Sequence, residues 1–250
     1  MIDMRTIYYK KDFQEALVIF TDKLNKECKD NNNCTWSIFK QSFLNFTKNK
    51  CPICEDTINK WDDTDHYRPK DKTKYPFLEC CYQNYMIMCT ACNREYKKTE
   101  FPLYDGFKAK NIKDIAKEKP LLINPTHNNI FELFELNFII SDKTNRKILI
   151  IQAKENLSDY QQKQAEKTIE VYGIGNCDEN NKIDNCRIEV LELHYEKFLK
   201  LAKLFREYYK DEKNKRNKVK LRKLLDEQPK LKYYGFYEFI KRKQFKINTI

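Results

Sequence analysis

Glycine is the scarcest structural resource of this chain. Only 4 of 250 residues are glycine, where ordinary usage of ~7% would give roughly 17. Collagen-like, Gly/Ser-linker and prion-like architectures are excluded. So are the two common nucleotide cradles, because neither G-x-G-x-x-G nor G-x-x-x-x-G-K-[ST] occurs. Any nucleotide used here is expected to be bound by another chain. Long apolar runs are missing as well. Runs such as residues 16–20, 138–140 and 148–151 fall far short of the ~20 residues that span a bilayer. Residues 1–11 are charged and contain no apolar stretch of the secretory kind. The expectation is a soluble, cytoplasmic protein without a membrane partner.

Positive charge is plentiful but unevenly placed. The net charge is +11. Residues 197–250 carry 18 Lys+Arg against 6 Asp+Glu, and the rest of the chain 30 against 31. A basic tail of this kind can release counterions from a phosphate backbone. A solvated lysine-rich helix face reads the same way, and the ratio of 39 Lys to 9 Arg, with abundant Asn, is also what an AT-rich coding bias produces. Residues 231–246 interleave aromatics with cations. They fit a core-covering element, a docking anchor rich in hot-spot residue types, or a base-stacking surface.

Periodicity divides the chain into four regions. Residues 1–48 are helical, with Phe13, Ala16, Leu17, Phe20 and Leu24 at helical spacing and a second helix from Trp36, with Thr35 as its expected N-cap. Residues 49–102 are dense in Cys, Asp, His, Asn and Pro. Residues 103–200 are α+β: alternation over 131–139 and a β-branched run at 148–151 predict a strand pair turning at 141–146, and residues 160–172 predict a helix stopped by Gly173 and Gly175. Residues 186–226 again show helical spacing, and 201–250 form the basic helical and aromatic segment.

The ten cysteines point to thiols or metal rather than to a disulfide framework. Cys51-Pro-Ile-Cys54 and Cys89-Thr-Ala-Cys92 are paired knuckles, each a tight turn able to aim two thiolates at one Zn²⁺. Such a closed site is structural, and in small zinc modules it supplies on the order of 10 kcal/mol of folding energy. Cys80 and Cys81 are alternative ligands disfavoured by their adjacency.

Between the knuckles lies Trp61-Asp-Asp-Thr-Asp-His-Tyr-Arg-Pro-Lys70, followed by Asn84 and then by Asn93 directly after Cys92. These residue types suit phosphodiester hydrolysis. His66 can deprotonate water, since an imidazole titrates near ~6.5. Asp65 offers a hard oxygen to Mg²⁺ or Mn²⁺, and Asn93 an amide oxygen as second ligand. Asp62 and Asp63 are alternative ligands that read better as loop carboxylates. Arg68, Lys70 and Lys97 are candidate phosphate contacts. His127 and His194 lack partner motifs and read as ordinary core or surface histidines.

In this layout the chain resembles the HNH, or ββα-metal, endonucleases. Tyr82-Gln-Asn-Tyr85 belongs to the same HNH layout, and the following Phe101-Pro-Leu103, Leu121-Leu-Ile-Asn-Pro125 and Thr168-Ile-Glu-Val-Tyr-Gly173 make the chain similar to the HNH subunits of Septu-type anti-phage systems and of related retron-associated modules, over about residues 36–200. The resemblance implies an HNH core with a structural zinc site, His66 as base, Asp65 and Asn93 on a catalytic divalent ion, and Asn84 holding the loop around the base. It also implies an ABC- or SMC-like ATPase partner, with DNA as the expected substrate and RNA as the alternative. The chain departs from the commonest HNH pattern at Asn93, where many members carry a third histidine. Two competing readings are a stand-alone restriction or homing nuclease and a zinc-held binding module with a dead site.

Overall fold

A computed structural model describes residues 1–27, 34–59, 61–62, 64–71, 73–141, 144–175, 187–210 and 219. The aromatic–basic stretch 231–246, Asp63 and most of the 201–250 segment lie outside the described residues.

The fold is α+β, with two small antiparallel sheets. Helix α1 (Lys11–Glu27) and helix α2 (Lys40–Thr47) bury Phe13, Ala16, Phe20 and Phe43, the helical stripe the periodicity predicts. Phe13 stacks on Phe39 with ring centroids 4.9 Å apart. Phe20 meets Tyr85 edge-on at 5.9 Å, so this aromatic layer rests on the first sheet. Thr35 stands at the start of the short 3₁₀ turn Trp36–Phe39, but its side chain caps nothing.

Strand β1 (Thr64–His66) pairs with strand β2 (Tyr85–Ile87), with Asp65 opposite Met86 and His66 opposite Tyr85. A seven-residue π-helical segment, Ala91–Lys97, follows. The order is strand, strand, helix, and the segment carries Cys92 and Asn93.

The second sheet joins β3 (Phe134–Ile140) to β4 (Lys147–Ala153). Residues 131–133, expected as strand, instead complete a single helical turn, α3 (Ile130–Leu133). The reason is local: the Asn129 side chain accepts from the Phe131 N–H and caps the turn. Ile148, Leu149, Ile150 and Ile151 are all buried because α4 (Asp159–Tyr172) and α5 (Ile188–Lys210) both pack against β4. Helix α4 opens with a Ser158–Gln161 capping box and ends at Gly173 in the left-handed region, φ 60°. Gly175 serves differently: a Cβ there would overlap Ile169 Cγ2 and lie 3.3 Å from the Ile151 carbonyl oxygen. Its bare backbone lets the chain pass over β4.

Cys34 and Cys80 form a disulfide, Cα–Cα 5.3 Å. The sequence points to thiols or metal rather than a disulfide framework, and among the described residues the structure adds this single bridge. The aromatic packing of the α2 lead-in against the first sheet brings together two cysteines 46 residues apart, which no local spacing announces. Among the described residues no helix is long and apolar enough to cross a membrane.

Candidate metal centre and active site

The first knuckle is a tight loop closed by an antiparallel bridge between Lys50 and Thr57. The Cys51 N–H donates to the Asp56 carbonyl and the Glu55 N–H to the Cys51 carbonyl, both at 2.8 Å, and Glu55 takes φ 59°. The second knuckle joins the end of β2 to the π-helical segment, where the Asn93 N–H donates to the Cys89 carbonyl at 3.0 Å. All four cysteines are buried, and their sulfurs lie within 4.8 Å of one another, Cys54 and Cys89 at 3.6 Å. A tetrahedral ion with Zn–S of ~2.3 Å needs sulfurs roughly 3.8 Å apart. The donor set therefore fits a structural metal such as zinc.

Two residues from the far end of the chain complete this centre. Arg187 Nη1 donates to Cys92 Sγ at 3.2 Å, with its guanidinium 4.9 Å from the Tyr96 ring centre. Burial works against the Arg187 charge, but the thiolates of Cys54, Cys92 and Cys89 outweigh it and raise its pKa. Four thiolates around a divalent ion leave an excess of −2, and Arg187 offsets part of it. His194 is buried with Nε2 3.0 Å from the Cys54 carbonyl oxygen, and burial lowers its pKa to about 3, so it is a neutral core histidine. Sequence reasoning did not connect either residue to the cysteines.

His66 lies at the end of β1, boxed by the Trp36 ring at 5.3 Å and the Tyr85 ring at 5.0 Å, both edge-on. Its Nε2 is 3.0 Å from the Glu79 carbonyl oxygen. A carbonyl can only accept, so Nε2 carries the proton and Nδ1 keeps the free lone pair. Burial lowers the His66 pKa, and the charge of Lys70 adds to this, against the opposing influence of the Glu79 carbonyl, Asp65 and the Glu79 side chain. The ring is thus held neutral in one tautomer. Lys70 Nζ sits 3.8 Å over the Trp36 ring and 3.4 Å from Glu79 Oε1, which places it beside the imidazole.

Neighbouring strand residues face opposite sides of a sheet. Asp65 accordingly turns toward the π-helical segment, where its Oδ2 accepts from Lys97 Nζ at 2.9 Å. Among the described residues no hydrogen bond reaches Asp65 Oδ1 or the Asn93 side-chain amide. Both are hard oxygen donors suited to Mg²⁺ or Mn²⁺. Asn84 is buried and braces the loop after β1: its Oδ1 accepts from the Arg68 N–H at 2.8 Å and its Nδ2 donates to the Arg68 carbonyl at 2.9 Å.

Two expected phosphate contacts are engaged inside the protein instead. Lys97 is 1% exposed and spends its ammonium on Asp65 and on the His66 carbonyl at 3.0 Å. Arg68 Nε donates to the fully buried Glu118 at 2.8 Å. Both partners are distant in sequence, which is why composition alone suggested surface cations. Of the three candidates, Lys70 alone keeps substantial exposure, 39% of its side chain. Asp62 is a loop carboxylate, accepting from the Thr90 N–H at 2.7 Å and the Asn59 N–H at 2.6 Å.

Fold and site together define an α+β protein whose strand–strand–helix unit is clasped by a four-cysteine cluster. The chain is similar to a Septu protein PtuB of Bacillus mycoides (strain KBAB4), 30% identical over 139 residues. The match takes in half of this chain but only 42% of that relative's length. No protein-family model and no solved structure matches the chain.

Proposed function

We propose that this protein is a metal-dependent HNH endonuclease acting as the effector of a bacterial anti-phage complex with an ABC- or SMC-like ATPase. The observation that carries the reading is His66: a neutral imidazole, its Nε2 committed to the Glu79 carbonyl, on the first strand of a strand–strand–helix unit clasped by cysteines. Nδ1 is the atom that takes the proton from the attacking water. Asp65 and Asn93 hold the divalent ion, which when bound supplies Lewis-acid polarisation of the scissile phosphate. Asn84 fixes the loop that follows the base, and the exposed Lys70 meets the phosphate backbone. Likeness to a Septu protein supports the defence role, and the missing P-loop is consistent with an ATPase on a separate chain.

The test uses the protein co-expressed with its genomic neighbours, stripped of loosely held ions while zinc is retained. Cleavage of DNA or RNA should appear on adding Mg²⁺ or Mn²⁺ and vanish with EDTA. Robust cleavage without any added divalent ion, or none under every metal and partner condition, would refute the reading.

A further inference from the structure

Lys97 poses a problem of charge. Its side chain is 1% exposed, and a buried ammonium is tolerated only when paired. It is paired to Asp65 Oδ2 at 2.9 Å and to the His66 carbonyl at 3.0 Å, so it ties down two consecutive residues of β1. Its backbone is equally fixed. The Lys98 N–H donates to the Asn93 carbonyl at 2.8 Å, closing the wide turn of a π-helix, a form frequent at functional sites. Cys92, one residue before Asn93, anchors the same segment to the cysteine cluster. Lys97 therefore has little freedom to leave, and leaving Asp65 would strand its charge against one carbonyl.

The consequence lies in the formal charge of the site. The donors named above for the catalytic ion are one carboxylate and one neutral amide. The carboxylate is already matched by the Lys97 ammonium at 2.9 Å, so the donors and Lys97 together carry no net charge. A divalent cation arriving alone meets a fixed positive charge a few ångströms away, in surroundings that screen it poorly. A phosphodiester arriving with it brings both a negative charge and a further oxygen ligand.

On the nuclease reading above, we infer that Lys97 makes loading of the catalytic ion conditional on the nucleic-acid phosphate: the free protein holds that ion weakly, and the ion and the backbone bind cooperatively. Lys97 is a positioning residue, acting through Asp65. Coulomb repulsion decides the direction of its effect. Deleting the ammonium costs Asp65 one hydrogen bond, but it removes a poorly screened like charge from beside a doubly charged ion.

The experiment follows Mn²⁺ binding by electron paramagnetic resonance in the zinc-loaded protein, with no turnover required. Wild type should bind Mn²⁺ at least tenfold more tightly with an uncleavable phosphorothioate oligonucleotide than without it. Lys97→Met should bind Mn²⁺ at least tenfold more tightly than wild type when no oligonucleotide is present, and should lose most of the oligonucleotide's enhancement. Zinc content and thermal melting report whether the variant is folded. A purely structural lysine would not tighten metal binding, so unchanged or weaker Mn²⁺ affinity in a folded Lys97→Met overturns the inference. If Lys97→Met does not fold, the wild-type comparison decides alone: equal affinity with and without oligonucleotide overturns it. Absence of Mn²⁺ binding in wild type even with oligonucleotide overturns the nuclease reading itself, and this inference with it.

Discussion

Replacing Arg68 by methionine separates a structural cation from a substrate contact. Arg68 Nε donates to Glu118 Oε2 at 2.8 Å, with the two side chains 14% and 0% exposed. Its guanidinium lies 5.4 Å from the Tyr67 ring centre and 5.3 Å from that of Phe101. Glu118 Oε1 accepts from the Ala109 N–H at 2.7 Å. Methionine keeps much of the aliphatic packing but leaves the Glu118 carboxylate buried without a counter-charge, a loss of about 3–5 kcal/mol. At about 2–4 °C per kcal/mol for a chain of this size, melting should fall by roughly 6–20 °C. Glu118→Gln keeps an acceptor and removes the charge, so the double variant Arg68→Met/Glu118→Gln should recover about 2 kcal/mol of the single variant's loss. Thermal and urea melts of all four proteins give the cycle. A shift under about 3 °C for Arg68→Met, accompanied by loss of nucleic-acid binding, would show that the pair is incidental and that Arg68 serves substrate.

Three further outcomes follow from particular contacts. Gly175→Ala should destabilise by about 1–3 kcal/mol through overpacking against Ile169 and the Ile151 carbonyl, read by urea denaturation; a neutral change would contradict the close approach. Cys92→Ser should drop bound zinc well below one per chain by mass spectrometry under native conditions and sharply lower the melting temperature, whereas full occupancy would mean that the cysteine cluster is not the zinc site. Because burial lowers the His66 pKa, the base stays unprotonated as pH falls past the ordinary imidazole range; the acid limb of cleavage against pH should lie below about 6.5, and a limb above 7 would contradict a buried base.

What was legible in the sequence is what depends on short spacing. The C-x-x-C turns place their own sulfurs, the β-branched run at 148–151 becomes β4, and the α1 stripe buries Phe13, Ala16 and Phe20. Gly173 stops α4 as a left-handed cap. Features that depend on a distant partner were not legible. Lys97 and Arg68 look like surface cations until Asp65, 32 residues earlier, and Glu118, 50 residues later, are placed against them. The pairing of Cys34 with Cys80 and the approach of Arg187 and His194 to the cysteine cluster are likewise products of tertiary packing. One signal was available: Asn129, a capping residue directly before the alternating stretch, marked residues 130–133 as a helical turn rather than strand.

The central claim is that His66 is the base of a nuclease and not a packed core histidine. The direct measurement compares the wild-type complex with His66→Ala at saturating Mg²⁺, recording cleavage and zinc content together. Cleavage should be lost by at least a hundredfold while zinc stays at the wild-type level and the protein remains folded. Cleavage at the wild-type rate by a folded, zinc-loaded His66→Ala protein would contradict it.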